Sequence, residues 1–245
     1  MPYGYIPYEK THYKVSRHSF KKRRIIISAI IISAAIIAAG IFFAIRVHND
    51  DILSPTDDET ADSSQLLSVV GTQSPLEKSY VPMLCDCEGF RVNVLAEDSL
   101  SQMISDAAAK GIKLKIKSAY VSYEEQNILY EETLSQYLND SKLSKVRAEA
   151  EAQKQTPLAG CSEAQTGLLI DFDVSETSAK AFVQRECVNY GFVLRYPNGK
   201  EGITHKTSSD TLYRYVGVDN AKKMRAYDMC LEEYNDYLLK QGSQN

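Results

Sequence analysis

Residues 25–45 read IIISAIIISAAIIAAGIFFAI, 21 positions without a single charge. A helix rises about 1.5 Å per residue, so this run matches the ~30 Å hydrocarbon core of a bilayer. Its flanks are asymmetric. Lys21, Lys22, Arg23 and Arg24 precede it, and Asn49, Asp50 and Asp51 follow it. The positive-inside rule then places residues 1–24 in the cytoplasm and the bulk of the chain outside, as a single-pass protein of the cell membrane. A cleaved signal peptide fits less well: 24 residues precede the run, it exceeds the usual roughly 7–15 apolar residues, and no small-x-small cleavage site follows. The expectation is an uncleaved signal anchor. The tail before it is basic and carries Tyr3, Tyr5, Tyr8 and Tyr13, suiting a solvated topology determinant beside anionic lipid.

Charge separates the two sides. The net charge of −4 hides a tail with seven Lys/Arg against Glu9, whereas residues 46–245 hold 21 bases against 31 acids. Such an acidic main part lacks the positive footprint that phosphate-backbone binding needs, which argues against nucleic acid as a partner. Residues 46–80 carry Asp50, Asp51, Asp57, Asp58, Glu59 and Asp62 among Ser, Thr and Pro, with no apolar period. They read as an extended acidic tether. Residues 81–240 remain as one domain long enough to bury its own core. Cys85, Cys87, Cys161, Cys187 and Cys230 all fall outside the membrane, where a disulfide can persist. Five is an odd number, so at least one is free or pairs between chains, and sequence cannot choose a pair.

Within 81–240 the periodicities mix. Leu100, Met103, Ile104, Ala107 and Ala108 recur at helical spacing before Gly111, and Lys113–Lys117 alternates as a half-buried strand. Ser122 and Glu125 form a capping box opening a helix through Leu138, and the charged, Ala-rich 144–156 suggests a solvated helix or mobile excursion. Residues 167–173 read as a central strand ending in carboxylates, then a helix over 176–190 closed by Gly191. Strands follow at 192–196 and 213–216, and Asp219 is placed to cap a final helix through Leu238. Without a regular βαβ rhythm, the fold class is α+β: a small antiparallel sheet flanked by helices, preceded by one transmembrane helix.

Four strings carry a resemblance: Lys117-SAYVSYEE-Gln126, Gly160-CSEAQTGLLI-Asp171, Tyr190-GFVLRYPNGK-Glu201 and Leu212-YRYV-Gly217. In order and spacing they resemble the zinc D-alanyl-D-alanine carboxypeptidases of the vancomycin-resistance, VanY-like type, over nearly all of 81–240. The resemblance implies a zinc ion held by two His and one Asp, with a Glu as general base. Zinc in such a site lowers the pKa of bound water to ~7 and polarises the scissile carbonyl. By that resemblance the first zinc histidine falls at Ala164, the zinc aspartate at Asp171, the general base at Ser209 and the second zinc histidine at Leu212. The substrate-facing arginine falls at Val121. One metal ligand of the three is present.

Methyl and isobutyl groups have no lone pair, so Ala164 and Leu212 cannot bind a metal in any protonation state. His205, the only histidine in 81–240, could with Asp171 and Asp173 form an improvised site, against its reading as a surface-loop residue. Asp173 also suits capping the next turn through Ser175. A Ser-His-Asp arrangement lacks histidines to build it. Gln165, Arg195 and Arg214 are candidate substrate-binding groups, the arginines as carboxylate forks or as structural ion pairs. These departures imply a pseudoenzyme with no cofactor, which binds peptidoglycan stem peptides or an envelope protein. The alternative is a re-tooled metallopeptidase that trims cell-wall peptides with zinc.

Overall fold

In a computed structural model of the chain, residues 64–140 and 143–243 are described. The expected cytoplasmic tail 1–24, the span 25–45 and the first part of the tether lie outside the described residues. Among the described residues no helix is long and apolar enough to cross a membrane.

Strand β1 (Leu84–Cys87) pairs antiparallel with β2 (Phe90–Asn93) as a hairpin. Asn93 then caps α1 (Val94–Ala109), its side-chain oxygen accepting from the Leu95 N–H at 3.0 Å. Helix α1 buries Leu100, Met103 and Ala107 of the expected stripe, together with Ala96, while Ile104 is half-buried and Ala108 exposed. Strand β3 (Lys115–Ser118) buries Ile116 and exposes the lysines on either side. The capping box opens α2 (Tyr123–Asp140): Glu125 N–H donates to Ser122 Oγ at 3.2 Å, and Ser122 N–H donates to Glu125 Oε2 at 2.7 Å.

The Ala-rich segment is helix α3 (Lys145–Gln155), packed against α2 rather than solvated all round. Ala148 and Ala152 are fully buried, and their four-residue spacing puts two methyl-sized side chains on one face. Thr133 and Thr156 share a 2.8 Å hydroxyl bond across the contact.

The main sheet has the order β3-β4-β6-β5, antiparallel throughout, with β4 at Leu169–Asp173, β5 at Phe192–Leu194 and β6 at Leu212–Tyr215. Between β4 and β5 run α4 (Thr177–Glu186) and a 3-10 turn, Cys187–Tyr190, and between β5 and β6 lies the short α5 (Glu201–Thr204). Phe172, Phe192 and Tyr213 meet edge to face in a core that also takes in Leu100, Met103 and Phe182.

Three expectations change. The final helix is two, α6 (Val218–Ala226) and α7 (Leu231–Gly242), separated by a turn in which Asp228 adopts a left-handed φ of 52°. Asp219 lies inside the first turn of α6, and the cap that matters is at Cys230, whose N–H donates to Glu233 Oε2 at 2.9 Å. The described part of the expected tether, 64–80, is seated on the domain. Leu66, Leu67 and Val69 pack on the core, Val70 is buried, and Leu76 N–H donates to Gly160 O at 2.7 Å. Its few apolar residues find a surface in the folded domain that no local periodicity announces. Lastly, all five cysteines are free thiols. Burial pushes the Cys187 and Cys230 thiols up to about 11, so both stay protonated near neutral pH.

Candidate functional site

The antiparallel register of β4 and β6 sets Asp171 opposite Leu212, and β3 sets Ser118 opposite Asp171 on the other side. Gly167 ends a 3-10 turn, Glu163–Thr166, that leads into β4 and carries Ala164. The loop before α2 is tied to that turn, because Val121 N–H donates to Ala164 O at 3.3 Å. Ser209 is held from β5's side, its N–H donating to Tyr196 O at 2.9 Å. Val121, Ala164 and the Ser209–Leu212 stretch, from three separate segments, consequently line one cleft of about 600 Å³.

Asp171 shows what the cleft lacks. Its Oδ1 is buried with no hydrogen-bond partner, and its Oδ2 lies 3.4 Å from Lys117 Nζ. Buried carboxylate oxygens are normally satisfied, so an orphaned one marks a position shaped for a cation. The ammonium of Lys117 supplies positive charge to one oxygen only. Zinc needs three protein donors, and the residues nearest in register or in the cleft, Leu212 and Ala164, offer none. These residues do not fit a zinc ion.

The improvised site does not assemble either. Among the described residues no group of three or more His, Cys, Asp or Glu side chains is placed to hold a metal. His205 is exposed at the end of α5 in a left-handed conformation (φ 54°) and borders a neighbouring cavity. Asp173 caps its own turn: its Oδ1 accepts from Ser175 N–H at 3.1 Å and Ser175 Oγ at 2.6 Å. That hydrogen bonding, with Lys115 at 3.8 Å, holds the Asp173 carboxyl below its ordinary range.

The three polar candidates for substrate contact have structural duties instead. Gln165 is 1% exposed, and its Oε1 accepts the Gly160 N–H at 2.7 Å. Arg195 grips Glu163 at 2.7 Å and Glu232 at 2.6 Å, and Arg214 reaches Glu163 at 3.2 Å. The remaining amino group of Arg214 donates to the carbonyls of Gln65 and Ser68, both at 3.3 Å, fastening the seated N-terminal segment. Arg214 keeps only a fully buried Nε without a partner, and with the amino groups of both arginines committed neither is a fork for a ligand.

Glu163, which sequence reasoning passed over, is the hub. Burial alone would push its carboxyl up, but the guanidinium groups of Arg195 and Arg214 outweigh that and hold it below its ordinary value. The available signal was indirect: Arg195 and Arg214 sit among apolar neighbours in strand-like runs, and a buried arginine requires a carboxylate.

The chain is an α+β domain in which β3, β4 and β6 of the antiparallel sheet contribute Ser118, Leu169 and Leu212 to a cleft of about 600 Å³, with Asp171 opposite Leu212 in the register. The comparisons narrow the class. The model of the VanY D-alanyl-D-alanine carboxypeptidases matches residues 90–218, more than half of the chain, and the protein belongs to that family. A D-alanyl-D-alanine carboxypeptidase of Enterococcus faecalis is 29% identical over 174 residues, covering 69% of this chain and 65% of its own. The putative carboxypeptidase YodJ of Bacillus subtilis is 32% identical over 156 residues, covering 59% of this chain and 54% of its own. The match thus spans between half and two-thirds of these relatives.

Among solved structures, VanYB in complex with D-alanine-D-alanine superposes with a TM-score of 0.65 at 28% identity, covering 70% of this chain and 97% of that one. A vancomycin-resistance D,D-pentapeptidase VanY variant in complex with Zn(II) gives a TM-score of 0.64 at 27% identity, covering 69% and 98%. The LD-carboxypeptidase LdcB, solved for the molecular basis of peptidoglycan recognition, gives 0.61 at 27%, covering 71% and 87%.

Proposed function

We propose that this chain is a membrane-anchored, non-catalytic member of the VanY family that binds peptidoglycan stem peptides outside the cell. One observation carries the reading: the cleft is open at about 600 Å³, while the ligand and base positions within it are Ala164, Leu212 and Ser209. Methyl and isobutyl groups cannot replace imidazoles, and a serine hydroxyl is too weakly basic to take a proton from water near neutral pH. The frame around the cleft persists at the same time, because the Glu163–Arg195–Arg214 cluster locks the turn bearing Ala164 to β5 and β6. Binding is what such a frame retains once the chemistry is gone. Residues 25–45 and their basic flank support the anchoring, and with it a position of the domain beside the cell wall.

The test uses the full chain purified in detergent. It is expected to bind a synthetic pentapeptide stem ending in D-Ala-D-Ala, to hold less than stoichiometric zinc, and to release no terminal D-Ala. Ala164→His combined with Leu212→His restores two nitrogen donors beside Asp171 and is expected to gain zinc affinity that neither single variant has. Release of D-Ala by the wild-type chain overturns the non-catalytic reading, and absence of stem-peptide binding overturns the binding one. Protease added to wall-stripped cells should degrade the domain and spare residues 1–24. A protected domain contradicts the proposed orientation.

A further inference from the structure

The cleft of about 600 Å³ has a neighbour of about 590 Å³, and Lys154, Pro157, Tyr196 and Lys206 contribute to the walls of both. The carboxylates bordering the two spaces are Glu151, Glu163 and Glu232, and each already has a cation. Glu151 pairs with Lys154 at 2.8 Å, Glu232 with Arg195, and Glu163 with Arg195 and Arg214. Lys206 is left over. Among the described residues no carboxylate lies within ion-pairing distance of it, and its Nζ makes only a long, 3.5 Å hydrogen bond to the carbonyl of Gln153. Burial draws its pKa below the usual lysine range and outweighs the opposing pull of Cys161 and of the Glu163 carboxylate, which is committed to the two arginines beyond ion-pairing distance of Lys206.

We infer that Lys206 anchors the terminal carboxylate of a peptide bound in the cleft, to which Val121 brings no charge. This rests on the stem-peptide reading above. The surroundings suit an alanyl C-terminus: Val121, Leu129, Ala164, Leu169 and Leu212 give the same cleft an apolar wall on which methyl side chains can pack. The charge comes from the segment after α5. It is a point charge on a flexible stem instead of a planar fork, so it fixes the ligand's end with less directional demand. A ligand carboxylate in the half-buried cleft would make a charge-assisted hydrogen bond that water screens only weakly.

The experiment titrates the full chain in detergent with two versions of one synthetic stem peptide, ending in D-Ala-D-Ala either as the free acid or as the C-terminal amide. The acid is expected to bind about ten- to a hundredfold tighter than the amide, the range for a hydrogen bond to a charged group. Lys206→Gln should abolish that preference by weakening the acid alone, and Lys206→Arg should retain it. Circular dichroism establishes that the variants are folded, and the acid-to-amide ratio on the wild-type chain needs no variant at all. Equal binding of acid and amide, or a preference that survives Lys206→Gln, overturns the anchoring role while the stem-peptide reading stands. Binding of neither peptide removes both.

Discussion

A carboxylate taken out of water beside two guanidinium groups is tolerable only while all three are present. Glu163 and Arg214 are essentially unexposed, and Arg195 is 2% exposed. Glu163→Gln keeps the shape and removes the charge, leaving Arg214 without a carboxylate and Arg195 with Glu232 alone. The expected cost is about 3–5 kcal/mol, the range for breaking a buried pair by removing one partner, read as a lower urea midpoint. The pH dependence has a definite sign. The Glu163 carboxyl in the folded protein lies below its ordinary value of 4.5, so the unfolded chain binds its proton first. Its stabilisation is therefore complete above about pH 5 and is lost as pH falls through the lowered folded value. Stability should drop more steeply between about pH 5 and pH 3 in the wild type than in Glu163→Gln. Equal slopes would remove Glu163 from the account of acid unfolding.

Two turns with the same backbone demand differ in what surrounds them. Gly191 closes the 3-10 turn after α4 at φ 78°, and Gly199 sits in the turn before α5 at φ 83°. A Cβ on Gly191 would lie 2.7 Å from a Tyr215 ring carbon and 2.9 Å from the Gly217 carbonyl carbon, where the chain enters α6. A Cβ on Gly199 would meet nothing within 4 Å. Gly199→Ala should cost about 1–2 kcal/mol, the left-handed penalty alone. Gly191→Ala should cost at least about 2 kcal/mol more, since the backbone at Gly217 cannot yield as a flexible side chain can. Chemical denaturation of both variants checks the ranking, and a reversed order would mean that the turn after α4 repacks. Helix and strand positions at this scale follow the sequence closely, as with the α1 stripe and the Ser122–Glu125 box. The departures are the two-helix C-terminus and the packed α3, where a neighbouring element decides what an ambiguous pattern becomes.

The domain begins earlier than its acidic, Ser-rich leader suggests. Residues 64–76 bring Val70 into the interior, cover core side chains with Leu66 and Leu67, and supply carbonyl acceptors to the buried Arg214. Removing them exposes apolar surface and strands a buried charge. A chain beginning at residue 57 should accordingly unfold at a higher temperature than one beginning at residue 77. The gap is at least about 3 kcal/mol, or roughly 6–12 °C for a domain of this size. Equal melting temperatures would return 64–76 to the tether. The same comparison bears on the cleft, because Val69–Ser74 border the cavity that Lys206 shares.

What the sequence determined by itself was whatever short-range chemistry decides. The apolar run of 25–45, the Ser122–Glu125 cap and the strand alternation at Lys113–Lys117 follow from local torsional preference and side-chain type. The inability of Ala164 and Leu212 to hold a metal is a property of those side chains wherever they sit. The tertiary structure decided which distant groups meet. It withdrew Arg195 and Arg214 from ligand duty by giving them Glu163, and it kept His205 apart from Asp171 and Asp173. Among the described residues it also left the Lys206 ammonium at the cleft with no carboxylate at ion-pairing distance. The pairings of Arg195 and Arg214 join residues from 32 to 149 positions apart in the chain. No local pattern encodes them, because an ion pair or a packed strap depends on where the sheet register brings its partners, and that register is a property of the whole domain.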